Sequence, residues 1–426
     1  MEEKRRIIII GGGFAGLNLA KRLDKKLWDV VILDKHNYHS FPPLFYQVAS
    51  SGLEPASISF PLRREMRNRR MDGCRFHFGE VKEIKADKHE VVTQYETLHY
   101  DVLAVAAGTT NNFFGIEGLK ERVLTLKSIP EAIRTRNLIL DRLERAAIST
   151  DADERRSLLT YVVVGGGPAG VEIAGALGEM KRYVISREYP SISVDDMRVI
   201  LVEGNDALLK AMGPRSSADA LSALDELCVD VRLGKTVSTY DGRNVVFADG
   251  EGISTQTVIW TAGVTGVPFN ITGADVEYAP GHRFKVDEYN RVEGLDDIYA
   301  IGDISCHTDE RYPRGCPQVA QVAIQQGRCL ARNLNSATFI RPFEYNDKGS
   351  MATIGRNRAV VDMGTRHLSG FVAWIAWMFI HLISLLGMRN KAVVLINWMW
   401  SYFTFSSGLR LILRPSRFPL RSDLEV

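Results

Sequence analysis

Twice along this chain a β-branched run breaks into glycines and then opens into a helix of small residues: RRIIIIGGGFAGLNLAKRL near the start and LLTYVVVGGGPAGVEIAGAL from Leu158. Strand, G-x-G-x-x-G, then helix constrains the fold more than any other feature, because each copy calls for a parallel sheet around its strand and a dinucleotide pyrophosphate at its helix N-terminus. In the first copy Gly11 permits the tight turn, Gly13 lets the backbone approach a pyrophosphate, and Gly16 permits close helix–strand packing. The next strand, WDVVILDK, ends on Asp34, 23 residues after Gly11, near the spacing at which an acid holds a ribose hydroxyl. The second copy supplies Gly165, Gly167 and Gly170, followed by RVILVEG with Glu203 at the strand end. Glu203 comes 38 residues after Gly165, so this unit carries an insertion, placed around YPSISVDDM. A carboxylate there repels a 2′-phosphate and favours NADH over NADPH.

Two such units predict an α/β fold with two Rossmann-like dinucleotide-binding domains, and a pair of cofactors whose reactive rings meet between them. Flavin and nicotinamide are the natural pair. The 426 residues are too many for one ordinary core. A net charge of +2 gives no reason to expect nucleic acid. The five cysteines are scattered, without C-x-x-C or a Cys/His pair at ligand spacing, which predicts free thiols, a reducing compartment and no metal. MEEKRRIIIIGGG is read as a first strand of a cytoplasmic protein, since four isoleucines are too few for a signal peptide.

The charged stretch STDADERRS is expected to be a linker, and PEAIRTRNLILDRLERAA an amphipathic helix opening with Pro130. Strands are expected at TVIWTAG and at GLDDIYAIGDIS, the latter ending on Asp303, and a helix at PQVAQVAIQQGRCLARNL behind Pro317. The expected division is 1–115 and 271–335 for the two parts of an FAD-binding domain, 116–157 for a connecting helix and linker, 158–270 for an NADH-binding domain, and 336–426 for a C-terminal membrane-associated region.

The Gly302-Asp303 strand end and the segments AVAAGTT and IWTAGV resemble the two-dinucleotide-binding-domain flavoprotein superfamily, in which such an aspartate binds the FAD ribityl chain and such segments cross between domains. HNYHSFPPLFYQVASSGLEPASISFPLR, AQVAIQQG and LINWMWSYFTFSSGLRLI are in turn similar to type II NADH dehydrogenases, the non-proton-pumping NADH:quinone oxidoreductases of respiratory chains. This resemblance implies non-covalent FAD held by Gly11, Gly13, Phe14, Ala15, Gly16, Asp34 and Lys35, by Val81, Ala107 and Gly108, and by Gly302, Asp303, Ala320 and Gln321. It implies NADH contacts from Gly165, Gly167, Pro168, Gly170 and Glu172, and from Glu203, Ala262 and Gly263. For the quinone it implies Phe45, Tyr46, Gln321, Ile324 and Gln325, with Glu172 and Gln321 as the catalytic pair, and a homodimer as the assembly. Disulfide reductases and sulfide:quinone oxidoreductases work through cysteines, and the scattered set here does not resemble theirs.

Glu172 follows the second glycine set by two residues and is expected on the first turn of its helix, facing the hydride-transfer site. Gln321 and Gln325, four apart, share a helix face that presents amides to quinone carbonyls. A helix starting near Pro317 to Ala320 would aim its positive end at the flavin edge that gathers charge on reduction. His36, His39, His307 and His381 have no partner at ligand spacing and are structural or unassigned. Some relatives place a lysine in the C-terminal helical region; here none occurs before Lys391, so the proton route to quinone stays open.

The stretch SGFVAWIAWMFIHLISLLGMRNK, Ser369 to Lys391, stands apart in a chain that is 24% charged. Gly370 to Met388 makes about 28 Å of helix, enough to span a bilayer core of roughly 30 Å. The following AVVLINWMWSYFTF is shorter and carries the Trp and Tyr of a membrane interface. With Arg410, Arg414 and Arg417 available to anionic head groups, a helical pair docked in the cytoplasmic leaflet is the preferred reading, beside a single span or a buried dimer interface. Two other functions remain open: a ferredoxin- or rubredoxin-type reductase, which needs no apolar extension, and a flavin- or NADH-liganded sensor.

Overall fold

The computed structural model describes residues 4–336, 341–404 and 408–413. The first unit runs β1 (Arg5–Ile10), α1 (Phe14–Ala20), β2 (Trp28–Asp34), the short helix α2 (Phe45–Ala49), β3 (Cys74–Phe78), β4 (Val102–Val105) and β5 (Thr109–Asn111). The isoleucines Ile7 to Ile10 are buried because β1 is the central strand of a parallel sheet covered on both faces. Short strands over 81–99 form an antiparallel meander between β3 and β4.

Ser128 caps helix α3 (Ile129–Ile148), its hydroxyl accepting the Glu131 N–H, with Pro130 in the first turn. The stretch expected as a linker is instead helix α4 (Ala152–Leu158): the Asp151 carboxylate accepts the N–H groups of Asp153 and Glu154. Charge density suggested a linker, but an N-cap aspartate followed three residues later by glutamate is a helix start.

The second unit comprises β6 (Thr160–Val164), α5 (Pro168–Met180), β7 (Arg198–Val202), α6 (Pro214–Glu226), β8 (Val229–Arg232) and β9 (Thr257–Trp260), in the parallel order β8-β7-β6-β9. The extra residues before Glu203 are taken up by Lys181–Ile185 and Ser186–Glu188, which carry the chain of α5 onward, and by the turn that follows. β5 pairs antiparallel with β10 (Val264–Gly266), Thr109 opposite Gly266, so the chain crosses between the units as a two-stranded ribbon. β11 (Ile298–Ala300) then returns to the first sheet and completes it in the order β11-β4-β1-β2-β3. That strand stops at Ala300, short of Asp303, because Gly302 takes a left-handed φ of 80° and turns the chain.

Helix α7 (Ala320–Leu334) packs on α1, so closely that a Cβ on Gly327 would lie 2.5 Å from the Ala15 carbonyl oxygen. Beyond it stands an element not foreseen in the C-terminal region, an antiparallel sheet of β12 (Ser350–Thr353), β13 (Ala359–Met363) and β14 (Arg366–Ser369). It lies against α5 at Gly175, where a Cβ would come within 2.9 Å of the Gly355 nitrogen. The apolar tail is a pair of helices, α8 (Gly370–Ser384) and α9 (Met388–Thr404), broken at Gly387 with φ 80°. The alternative of a single continuous helix over 370–388 is therefore ruled out: α8 has 15 residues, about 22 Å. Among the described residues no helix is long and apolar enough to cross a membrane.

The pair wears its apolar surface outward. Ala373, Trp377 and His381 of α8 face the core, while Phe371, Val372, Phe379 and Ile383 are more than half exposed, as are Ile396, Met399, Trp400 and Phe403 of α9. Arg410 is not free for a head group, since it forms a two-pronged ion pair with Glu188. Arg414 and Arg417 lie outside the described residues.

Candidate active site

The two glycine loops fold alike at the level of single atoms. Gly11 and Gly165 both take φ 111°, and a Cβ on Gly16 or Gly170 would run into the carbonyl of Gly11 or Gly165. The middle glycines differ: a Cβ on Gly13 or Gly167 meets nothing within 4 Å, which leaves an open cradle at the uncapped N-termini of α1 and α5. The strand-end acids also match. Asp34 accepts the Gly12 N–H at 2.6 Å and the His36 N–H at 2.7 Å, while Glu203 accepts the Gly166 N–H and, at 2.7 Å, the Asn205 N–H. Each carboxylate braces its own glycine loop. Burial pushes Asp34 above the usual carboxylate range against those two hydrogen bonds.

Gly302 lies between α1 and α7, 3.2 Å from the Ala15 methyl and 3.4 Å from the Ala323 methyl as a Cβ would measure it. Its N–H donates at 2.6 Å to Oε1 of Gln326, whose amide also reaches Asn290 at 2.8 Å, so a buried polar network aims Asp303. Burial raises the Asp303 carboxyl, opposed only by the charges of Lys127 and Arg283. Lys127 donates at 2.8 Å to Thr109 Oγ1 on the crossing ribbon, and burial lowers its pKa despite Asp303 and Glu131. These features fit a flavin dinucleotide: an open phosphate cradle, a ribose acid, and a half-buried carboxylate that accepts no hydrogen bond among the described residues.

Gln321 and Gln325 do share one face of α7, and both amides pair with backbone. Gln321 donates to Gly349 O at 2.7 Å and accepts from Lys348 N, while Gln325 donates to Asn346 O at 2.9 Å and accepts from Asn346 N. They tie the chain that leads into β12. Ala320 opens α7, and Ile324 is half-buried one turn on. Val81, half-buried, opens the 81–99 meander, and Ala107 and Gly108, also half-buried, follow β4, whereas Lys35 is exposed. In the second unit Pro168 is exposed beside Gly167, Ala262 packs under Gly165, and Gly263 turns with φ 76° against the Phe114 ring.

Glu172 is the fifth residue of α5, past the first turn where it was expected, because Pro168 with its fixed φ begins the helix. It is 7% exposed and burial carries its pKa up to about 8, opposed by the Thr353 backbone N–H and the Trp377 side chain. The indole N–H of Trp377 is buried and makes no hydrogen bond of ordinary geometry, so its effect is that of a longer polar contact. Tyr46 on α2 lies within the field of Glu172 and 6.4 Å, centroid to centroid, from Trp377. Phe45 beside it is core, 2% exposed.

Trp377 stacks on His381 at 4.0 Å, His381 meets Phe41 edge-on at 5.9 Å, and Phe41 meets Phe14 at 5.7 Å. An aromatic chain thus links the first phosphate loop to the apolar helix. Buried His381 and His39 are pushed down to about 4 and stay neutral at pH 7. Trp398 of α9 donates to Gln47 at 2.8 Å and Asn390 to Ser59 O at 2.8 Å, which pins the helical pair on the first unit. A cavity of about 120 Å³ lies under this junction, walled by Tyr46, Glu179, Thr353, Trp374, Trp377 and Trp398 among others. A larger one, about 430 Å³, lies beyond Glu203 between 206–212 and α6, and none of the residues discussed for hydride transfer line it. Lys127, Gln326, Glu179 and Trp377 were not singled out from sequence. A lone lysine or glutamine carries no pattern, and only Trp377, at helical spacing from Ala373 and His381, marked an inward stripe.

The family described as pyridine nucleotide-disulphide oxidoreductase matches residues 5–327, and the NDH2 C-terminal domain matches residues 348–405. A type II NADH:quinone oxidoreductase of Mycobacterium tuberculosis is 33% identical, over 95% of this chain and 89% of its own length. This chain belongs to the type II NADH:quinone oxidoreductases. An internal alternative NAD(P)H-ubiquinone oxidoreductase of Arabidopsis thaliana mitochondria is 30% identical, with 94% of this chain and 84% of that protein covered. The NDH2 of Plasmodium falciparum, solved in complex with NADH, shares the fold at a TM-score of 0.87 and 21% identity, over 97% of this chain and 100% of that one. Like other type II oxidoreductases, the chain adds a C-terminal domain to the two nucleotide units, and all five of its cysteines are free thiols.

Proposed function

We propose that this protein oxidises NADH and passes two electrons to a membrane quinone, with FAD as its resident cofactor and without pumping protons. Per turnover NADH gives up a hydride, and the quinone takes those two electrons, that proton and one more from solvent. FAD supplies the two-electron chemistry between the two substrates. Gly11, Gly13, Gly16 and Asp34 would hold its adenosine diphosphate half, and Asp303, aimed by Gln326, its ribityl chain, with the charges of Lys127 and Arg283 acting on that carboxyl. Gly165, Gly167, Gly170 and Glu203 would hold NADH, whose ribose hydroxyls suit a carboxylate and whose 2′-phosphorylated counterpart does not.

What carries this reading is the meeting of Glu172 from the NADH unit, Tyr46 from the FAD unit and Trp377 from the apolar helix. A site built so can take a hydride donor on one side and a lipid-soluble acceptor on the other. Near pH 7 Glu172 keeps its proton and can donate a hydrogen bond there. The outward apolar faces of α8 and α9 support docking in one leaflet on the cytoplasmic face, with quinone entering beneath them. The homodimer rests on the family resemblance alone and is read by sedimentation in detergent.

The test is anaerobic mixing of the purified yellow protein with NADH and then with a short-chain quinone. Loss of colour with NADH and its return with quinone is the expected result. Colour that NADH removes and quinone does not restore would refute the quinone half of the reading.

A further inference from the structure

Seven residues beyond Glu172 on α5, Glu179 is a second, half-buried acid that the hydride reaction does not itself use. Seven residues are two helical turns, so both side chains leave the same face about 10 Å apart along the axis. Glu179 accepts the Arg356 N–H at 2.6 Å, and the charges facing it are the guanidinium groups of Arg356 and Arg358, between β12 and β13. Burial nonetheless pushes the carboxyl above its usual range, against the Arg356 N–H and the two guanidinium charges.

The 120 Å³ cavity reaches Glu179 directly and Glu172 only through the groups packed against it. Glu179 forms part of its wall, and so do Thr353 and Trp377, the two groups that act on the Glu172 carboxyl. Tyr46, also in the wall, lies in the field of both carboxyls. At the far side are Arg356 and Ser401, the Arg356 guanidinium donating at 3.1 Å to Tyr402 O and at 3.3 Å to Ser401 Oγ near the end of α9. Ten ångström is too far for one proton hop, but a cavity of this size has room for bridging water, with Glu179, Thr353, Arg356 and Ser401 in its wall as polar partners.

We propose that Glu179 is the outer acid of a proton relay, taking a proton at the Arg356–Ser401 rim and passing it, through water in the cavity and the Glu172 carboxyl, to the quinone. The proposal rests on the quinone reading above. NADH, quinone and one solvent proton become NAD⁺ and quinol, and the relay carries that one proton. Glu179 and Glu172 each take up one proton and give up one, so both end the cycle as they began.

A purely structural Glu179 would serve only to hold the Arg356 turn, and Glu179→Gln separates the two roles because the amide oxygen still accepts that N–H. In the full-length FAD-loaded variant, stopped-flow bleaching by NADH should stay within about twofold of wild type. Recolouring by a short-chain quinone should slow by about tenfold or more. It should also show a larger solvent isotope effect in D₂O and recover in part when formate is added. Recolouring with the wild-type rate, pH profile and isotope effect would overturn the relay. If the wild-type protein itself were not recoloured by quinone, the quinone reading would fail first. Should the Gln variant not accumulate, Glu179→Asp carries the test: a displaced pH profile for recolouring supports the relay, and an unchanged profile refutes it.

Discussion

Replacing Glu172 by glutamine should change how stability depends on pH, with a sign opposite to that of most carboxylates. The Glu172 carboxyl stands at about 8 in the fold against an ordinary 4.5, because burial on α5 disfavours its charge more than Thr353 and Trp377 compensate. Between those values the native state holds a proton that the unfolded chain has released. Wild-type stability therefore falls as pH rises through this window, by about 1.4 kcal/mol per pH unit, to a ceiling of about 4 to 5 kcal/mol. Glutamine has nearly the same shape and no proton to lose, so the variant lacks this slope. The two proteins should be close at pH 5, and the variant should gain on wild type up to pH 8. Glu179, also raised by burial, titrates in both, and its contribution cancels in the comparison. Urea midpoints of the FAD-loaded proteins at several pH values measure the difference. A difference that stays flat would mean that Glu172 is ionised in the fold, and the burial argument would be wrong.

Other substitutions test the cradles, the cofactor choice and the membrane face. Gly167→Val should fold and keep FAD, since nothing lies within 4 Å of its Cβ, yet raise the KM for NADH at least about tenfold. Gly170→Ala, by contrast, should fail to accumulate, because its methyl would strike the Gly165 carbonyl. Glu203→Gln keeps an acceptor for the Gly166 N–H and removes the charge, so kcat/KM for NADPH relative to NADH should rise roughly tenfold or more, as like charges about 4 Å apart repel by ~1 to 4 kcal/mol; an unchanged ratio places the 2′ position elsewhere. Phe379 and Phe403 are 63% and 77% exposed, and each buried phenylalanine is worth roughly 1.5 to 3 kcal/mol. Their joint replacement by glutamate should weaken binding to phospholipid vesicles by on the order of a hundredfold in flotation while leaving the melting curve in place.

Much of the chassis was legible because local rules dictate it. Gly11 and Gly165 need φ beyond the reach of side-chain-bearing residues, Gly16 and Gly170 need contact with backbone, and the β-branched runs need burial on both faces. Errors arose where a weak signal competed with a strong one. In STDADERRS the run of charge concealed the Asp151 cap, and in Gly370 to Met388 the apolar run concealed the break at Gly387, whose glycine and neighbouring leucines read equally well as helix. The sheet over 350–369 was missed because its strands are short and the helices behind it dominate the pattern.

By itself, the sequence determined two nucleotide units, their cradles and strand-end acids, and an apolar tail, since each rests on residues close together in the chain. Only the tertiary structure decided what those parts do to one another. The carboxyls of Glu172 and Glu179 are raised above their ordinary range because α2, the C-terminal sheet and α8 exclude water from one face of α5, and the residues responsible, Tyr46, Thr353 and Trp377, lie more than a hundred residues away on either side. Desolvation depends on every group packed around a carboxyl, and no spacing along the chain encodes it.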